Sequence, residues 1–258
     1  MSESRVSFRP ETFHDAGGVV FSSFTVAIVT TAIGWFFVQE AVWQPYHLVV
    51  SVFSFLVLAT CVNFLWILHP GGGRFGEANQ ATLLRSGLVC LIGSALLASG
   101  TEIQVGWHLA GLIAVALALD GVDGYLARRF NLASEFGARF DMEIDALLLF
   151  ILSLLVWQTG QAGIWVLTIG LMRYAFVAAS WLCTRLSGPL RPSMRRKTVC
   201  ALQGIALLTC LLPPLSETGG SVIALAALVA LVTSFGIDIW ALLRNPSPVR
   251  TMKEGTET

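Results

Sequence analysis

Charge is scarce in this chain. Only 12% of its 258 residues are charged, about half of the ~25% usual in soluble domains. With 55% hydrophobic residues and a mean hydropathy of +0.73, that scarcity excludes an ordinary water-soluble domain. Cys61, Cys90, Cys183, Cys200 and Cys210 all lie in apolar runs and lack zinc-ligand spacing, so they read as small hydrophobes rather than metal ligands. His14, His47, His69 and His108 are scattered, which argues against a histidine-based metal site. There is no internal repeat and no low-complexity tract. Residues 1–18 are polar and do not have the form of a secretory leader, so the first apolar run is expected to remain as a membrane anchor.

What the chain has instead is a series of apolar stretches near the ~20 residues that span a bilayer as a helix. They fall at about 19–38, 47–68, 84–100, 104–127, 143–158, 162–184, 198–214 and 220–243. The expected fold is all-α, a polytopic membrane bundle of about eight transmembrane helices. Every backbone polar group must be satisfied inside the bilayer, and a helix does this within one segment.

The net charge is zero, yet the basic residues are unevenly placed. Arg5 and Arg9 precede the first stretch, and Arg74 and Arg85 follow the second. Arg128, Arg129 and Arg139 follow the fourth. Arg185, Arg191, Arg195, Arg196 and Lys197 follow the sixth, and Arg244, Arg250 and Lys253 follow the eighth. The alternate loops, 39–46, 101–103, 159–161 and 215–219, hold no Lys or Arg. The positive-inside rule then puts both termini, and everything on their side of the membrane, in the cytoplasm. The expected setting is a bacterial inner membrane, with membrane lipid as partner and no nucleic acid; homodimerisation is left open.

Against this apolar background four carboxylates stand out. Asp120 and Asp123 are three apart; Asp141 and Asp145 are four apart. On helices each pair shares a face. An aspartate at the centre of a membrane helix costs about 2.5–3.5 kcal/mol on insertion scales, and four together repel. Such a cluster makes sense as a site for divalent cations, whose preference for hard oxygen ligands suits Mg2+, Mn2+ or Ca2+. Glu143, between the second pair, points elsewhere on its helix and is not assigned to the metal.

The stretch reads D-x2-D-G-x2-A-R-x8-G-x3-D-x3-D from Asp120 to Asp145. It resembles the signature of the CDP-alcohol phosphatidyltransferases, membrane enzymes that join head groups to a CDP-activated lipid. The resemblance implies a six-helix core over residues 77–244, preceded by a two-span extension and linker over 1–76; the tail at 245–258, with Pro246, Pro248 and polar residues, is expected to be disordered. It implies CDP-diacylglycerol and an alcohol as substrates, one or two Mg2+ or Mn2+ ions as cofactors, and CMP as leaving group. Asp120, Asp123 and Asp141 are then the primary ligands. Asp145 is either a ligand to a second ion or the general base for the acceptor hydroxyl.

Gly124 removes a side chain beside Asp123 and would let a nucleotide approach the backbone; Ala127 keeps that groove shallow. Gly137 permits close helix packing one turn before Asp141. Arg128 has a planar fork suited to phosphate, the alternative being a positive-inside anchor, which is the reading for Arg129. Asn79-x-x-Thr82-x-x-Arg85 resembles a segment that opens the first core helix in many family members. Asn79 or Thr82 would cap that helix and Arg85 would reach lipid phosphate at the interface. Arg173 lies deep in the sixth stretch, where a cation marks a functional site or needs a carboxylate partner. The Arg195-Arg196-Lys197 run, with Gln203 further in, resembles the corresponding basic segment of phosphatidylglycerophosphate synthases and some cardiolipin synthases. With Arg173 it would hold an anionic acceptor. Glycerol 3-phosphate is the expected acceptor, with phosphatidylglycerol or an inositol phosphate as alternatives. Aromatic prenyltransferases are disfavoured by the single aspartate block and the lack of an Asn-Asp pair. A cation transporter is disfavoured because its ion site would sit near the midplane on broken helices.

Overall fold

The computed structural model describes residues 10–40, 43–68, 75–97, 106–129, 135–182 and 194–244. Among these residues all regular structure is helical. The elements are α1 (Pro10–Gln39), α2 (Pro45–Leu68), α3 (Glu77–Ser94), α4 (Trp107–Arg129), α5 (Glu135–Gln158), α6 (Leu167–Leu182), α7 (Met194–Cys210) and α8 (Glu217–Arg244), with 3-10 turns at Ala95–Leu97 and Ile164–Val166. They follow the order of the eight expected stretches. Among the described residues four segments are long and apolar enough to cross a membrane by length and composition: Gly17–Gln39, Pro45–Leu68, Glu77–Leu97 and Glu217–Ile237. Shorter apolar helices run over Trp107–Gly121, Ile164–Ala179 and Thr198–Cys210. The tail at 245–258 and most of the linker at 69–76 lie outside the described residues.

Several helices start away from where hydropathy puts them, for identifiable reasons. α3 begins at Glu77 and α5 at Glu135, not near 84 and 143. Their first turns carry Glu77, Asn79 and Gln80 in α3 and Arg139 and Asp141 in α5, which an apolar window rejects although the backbone continues as helix through them. α5 ends where Gly160 adopts a φ of 74°, a left-handed conformation that glycine takes without a Cβ clash. The amide of Thr159 donates to Leu155 O (2.9 Å) and that of Gly160 to Trp157 O (3.1 Å), which closes the last turn. α6 therefore starts only at Leu167, after the 3-10 turn.

α3 is the centre of the bundle and packs against α1, α2, α4 and α5. Residues all round it are buried, from Leu83 and Ser86 to Val89, Leu91 and Ile92. α7 touches both α4 and α5, so α3, α4, α7 and α5 form a closed ring of four helices. α6 lies outside it on α5, and α8 on α7. The outward faces are apolar, with Phe53, Leu56 and Phe64 on α2 and Val222, Leu225 and Val229 on α8 exposed. That is the expected surface of a bundle whose solvent is lipid.

The α1–α2 pair is joined to the ring at both ends. Trp66, in the last turn of α2, packs edge-on against Phe75 (centroids 5.3 Å apart) and Phe136 of α5 (5.1 Å). At the other end Phe37 of α1 meets His108 of α4 at 6.1 Å. Between the two helices Ser23 Oγ donates to Asn63 Oδ1 (3.4 Å). Aromatic pairs of this kind add about 0.5–1.5 kcal/mol each beyond their area burial.

α5 and α6 pack closely at Gly170. A Cβ there would lie 2.5 Å from Phe150 Cα and 3.0 Å from Phe150 N, and backbone cannot swing aside as a side chain can. Gly170→Val is therefore expected to force the helices apart at a cost of about 1–3 kcal/mol, read as a lower unfolding temperature in detergent. An unchanged transition would contradict this contact.

Candidate active site

Three of the expected aspartates meet inside the ring. Asp120 projects from the C-terminal part of α4; Asp141 and Asp145, one turn apart, project from α5. One carboxylate oxygen of each lies within 4.8 Å of the others. Their side chains keep 38%, 34% and 27% of their exposure, so the cluster is open on one side. Asp123, Gly124, Ala127 and Arg128 belong to α4, which runs unbroken to Arg129. Their side chains lie outside the described residues. Gly137 is buried in α5, one turn before Asp141.

The cluster is closed from behind by Arg85 of α3, whose side chain is fully buried. Its Nη1 donates to Asp120 Oδ1 at 2.5 Å. Its Nη2 donates to Asp141 Oδ1 at 2.5 Å and lies 2.9 Å from Asp145 Oδ1. The same nitrogen reaches Asp141 O at 3.4 Å. One planar fork thus ties α3, α4 and α5 together, a geometry that lysine's single ammonium would not reproduce. The expectation that Arg85 reaches lipid phosphate at the interface is corrected: the side chain turns inward, where three carboxylates are within hydrogen-bond range. The expected cap is corrected too. α3 starts from Gly76 in an extended conformation with no side-chain cap hydrogen bond. Asn79 and Thr82 are buried inside the helix, and Thr82 Oγ1 donates to Ala78 O (3.1 Å).

Arg85 is the site residue that sequence reasoning misplaces, although a signal is present. A cation in an apolar helix needs a partner. Arg85 lies at the edge of its apolar stretch, where water and lipid headgroups look like sufficient company, whereas Arg173 lies deep in its own. Arg173 sits on α6 and pairs with Glu143 Oε1 of α5, with Nη1 4.0 Å from Met142 Sδ. Glu143 is therefore turned to α6, away from the aspartates, as its helical position implies. Arg195 ties the start of α7 to α8, its Nη1 donating to Ser234 O at 2.7 Å. Arg196 and Lys197 open α7 with side chains outside the described residues. Gln203 is fully buried between α7 and α8 and donates to Ala227 O (2.9 Å).

The donor set fits a hard divalent cation. Mg2+ and Ca2+ take oxygen ligands at about 2.0–2.6 Å, so opposite ligands are at most about 5.2 Å apart, and the carboxylate oxygens already lie within 4.8 Å. Against one guanidinium, three carboxylates leave the cluster negative. That charge attracts cations and would repel a nucleotide phosphate unless a cation intervened.

An apolar-faced helical bundle with an acidic, partly open cluster inside it defines an integral-membrane protein built around a cation-attracting site. Comparison with known proteins makes this specific. Residues 76–236 match the CDP-alcohol phosphatidyltransferase family, and the chain belongs to that family. It is thus a membrane transferase of phospholipid synthesis, and the prenyltransferase and transporter readings are set aside. Among curated proteins the chain is similar to the probable phosphatidylglycerophosphate synthases of two Mycobacterium tuberculosis strains, CDC 1551 / Oshkosh and H37Rv. Each is 30% identical over 178 residues, which cover 67% of this chain and 84% of the relative. No solved structure matches the chain.

The different directions of Glu143 and Asp145 give a paired test. Asp145→Asn is expected to weaken Mn2+ binding at least about tenfold, as for a lost charged ligand. Glu143→Gln is expected to leave it unchanged. Electron paramagnetic resonance of free Mn2+ reads both, and equal losses would mean that the cluster is not a discrete site.

Proposed function

We propose that this protein transfers the phosphatidyl group of CDP-diacylglycerol to glycerol 3-phosphate and releases CMP. The observation that carries the reaction is the convergence of Asp120, Asp141 and Asp145 from two helices of the family signature. The choice of acceptor is supported by the name borne by the Mycobacterium relatives, and by the basic residues Arg173, Arg195, Arg196 and Lys197. An acceptor carrying a phosphate dianion suits guanidinium forks.

In this reading the acceptor hydroxyl oxygen forms a bond to the lipid-side phosphorus. The bond from that phosphorus to the bridging oxygen breaks, and CMP leaves with the electron pair. Asp120, Asp123 and Asp141 would hold Mg2+ or Mn2+, and Asp145 would hold a second ion or take the hydroxyl proton. The bound cation would supply positive charge beside the pyrophosphate as negative charge grows on the leaving group. Gly124, Ala127, Arg128 and Gly137, at the spacing of the family signature, would serve the nucleotide. Arg173, whose buried Nε has no hydrogen-bond partner among the described residues, serves the acceptor. The alternation of loops with and without Lys or Arg supports a cytoplasmic site, and the bacterial relatives support an inner-membrane setting.

Purified protein incubated with CDP-diacylglycerol, Mg2+ or Mn2+ and a panel of alcohols is expected to yield phosphatidylglycerophosphate by mass. Phosphatidylglycerol or an inositol phosphate as the sole productive acceptor would replace glycerol 3-phosphate. Asp123→Asn is expected to abolish CMP release while the protein stays folded; CMP release at the wild-type rate would remove Asp123 from the chemistry.

Arg173→Lys keeps the charge and loses the fork. The acceptor KM should rise several-fold more than that for CDP-lipid, by the usual reading of lost ground-state binding. If neither constant moves, Arg173 is structural and serves only to hold Glu143.

A further inference from the structure

The most unusual group in the bundle is not an acid but Arg85. It is among the largest side chains wholly buried here, and its Nη nitrogens face one oxygen each from Asp120, Asp141 and Asp145. Those carboxylates come from α4 and α5, while the guanidinium comes from α3. Without it, three like charges so close to one another would drive the two helices apart or take up protons. With it, the cluster is assembled before any other cation arrives.

We propose that Arg85 is the resident counter-cation of the site, a positioning residue that preassembles Asp120, Asp141 and Asp145 and holds their affinity for a divalent cation down. This rests on the reading of the aspartates as a cation site and extends it. The physical reason is competition for the same oxygens. The Oδ1 atoms that face Arg85 are ligand atoms for a cation, and a guanidinium beside them repels a second positive charge. Removing the arginine should thus have two opposite effects. The cation-free protein should become less stable, because like charges are left together in a low-dielectric interior. The cation should bind more tightly, because it meets a more negative cluster and no rival. A merely structural arginine would give the reverse of the second effect, since a loosened site binds metal more weakly.

The test uses the full-length protein in detergent, with Mn2+ alone as probe. Arg85→Met keeps a flexible, unbranched stem, shorter than that of arginine, and carries no charge. Compared with wild type, its unfolding temperature without metal should fall, its Mn2+ dissociation constant should drop about tenfold or more, and saturating Mn2+ should restore more stability than it adds to wild type. Arg85→Lys keeps a point charge without the fork, so it should lose stability while its Mn2+ affinity stays near that of wild type. Unchanged or weaker Mn2+ binding by Arg85→Met, with wild type binding normally, overturns the proposal and leaves the cation site standing. If wild type itself binds no Mn2+, the cation site falls and this proposal with it. If Arg85→Met folds only when prepared in Mn2+, chelation decides. Unfolding of the variant but not of wild type supports the role, and equal survival overturns it.

Discussion

A guanidinium with no solvent contact, held among carboxylates from two other helices, is the interaction on which the rest of this structure depends. A charge buried in a bundle is tolerated only when it is paired and hydrogen-bonded. Taking away one partner of such a pair typically costs about 3–5 kcal/mol, because the other is left stranded. Arg85 meets that demand by drawing Asp120, Asp141 and Asp145 to one point. The demand is mutual, since the aspartates need a positive charge as much as the arginine needs negative ones. α3, α4 and α5 are thereby fixed in relative height as well as in separation, which apolar packing alone does weakly.

That central constraint explains why α3 is surrounded. The α1–α2 pair covers one side of it and α4 and α5 the other, so lipid is kept from the helix that carries the buried charge. Trp66 of α2 also packs on Phe136, in the first turn of α5, two to three turns ahead of Asp145. The two N-terminal helices therefore brace the helix that presents the acids. The bundle is largely apolar outside and buries the polar side chains of Arg85, Gln203 and Ser153 within. Between α5 and α6, Arg173 and Glu143 form a second, more exposed ion pair. A single turn of α5 thus sends Asp141 and Asp145 to the site and Glu143 to its neighbour.

Much of this is legible in the sequence. Low charge and long apolar runs imply a helical membrane bundle, and the spacing from Asp120 to Asp145 carries the family, which the match over residues 76–236 establishes. The boundaries of α3 and α5 are not legible from hydropathy, because the polar and charged residues of their first turns look like loop residues to an apolar window. Arg85 is visible but points the wrong way, to the membrane interface, since a lone arginine in a sequence carries no indication of which carboxylates will be beside it.

By itself, then, the sequence determined composition-level and spacing-level properties: an all-helical membrane chain, the face that Asp141 shares with Asp145, and the separation of Glu143 from both. These follow from helical periodicity and from the cost of exposing backbone to lipid, which are local rules. Only the tertiary structure decided that α3, α4, α7 and α5 close into a ring and that Arg85 is enclosed with three aspartates. It alone paired Arg173 with Glu143. Arg85 meets Asp120 and Asp141, 35 and 56 positions away in the chain, and which of several available acids a buried cation takes is settled by helix packing, which no short window of sequence contains.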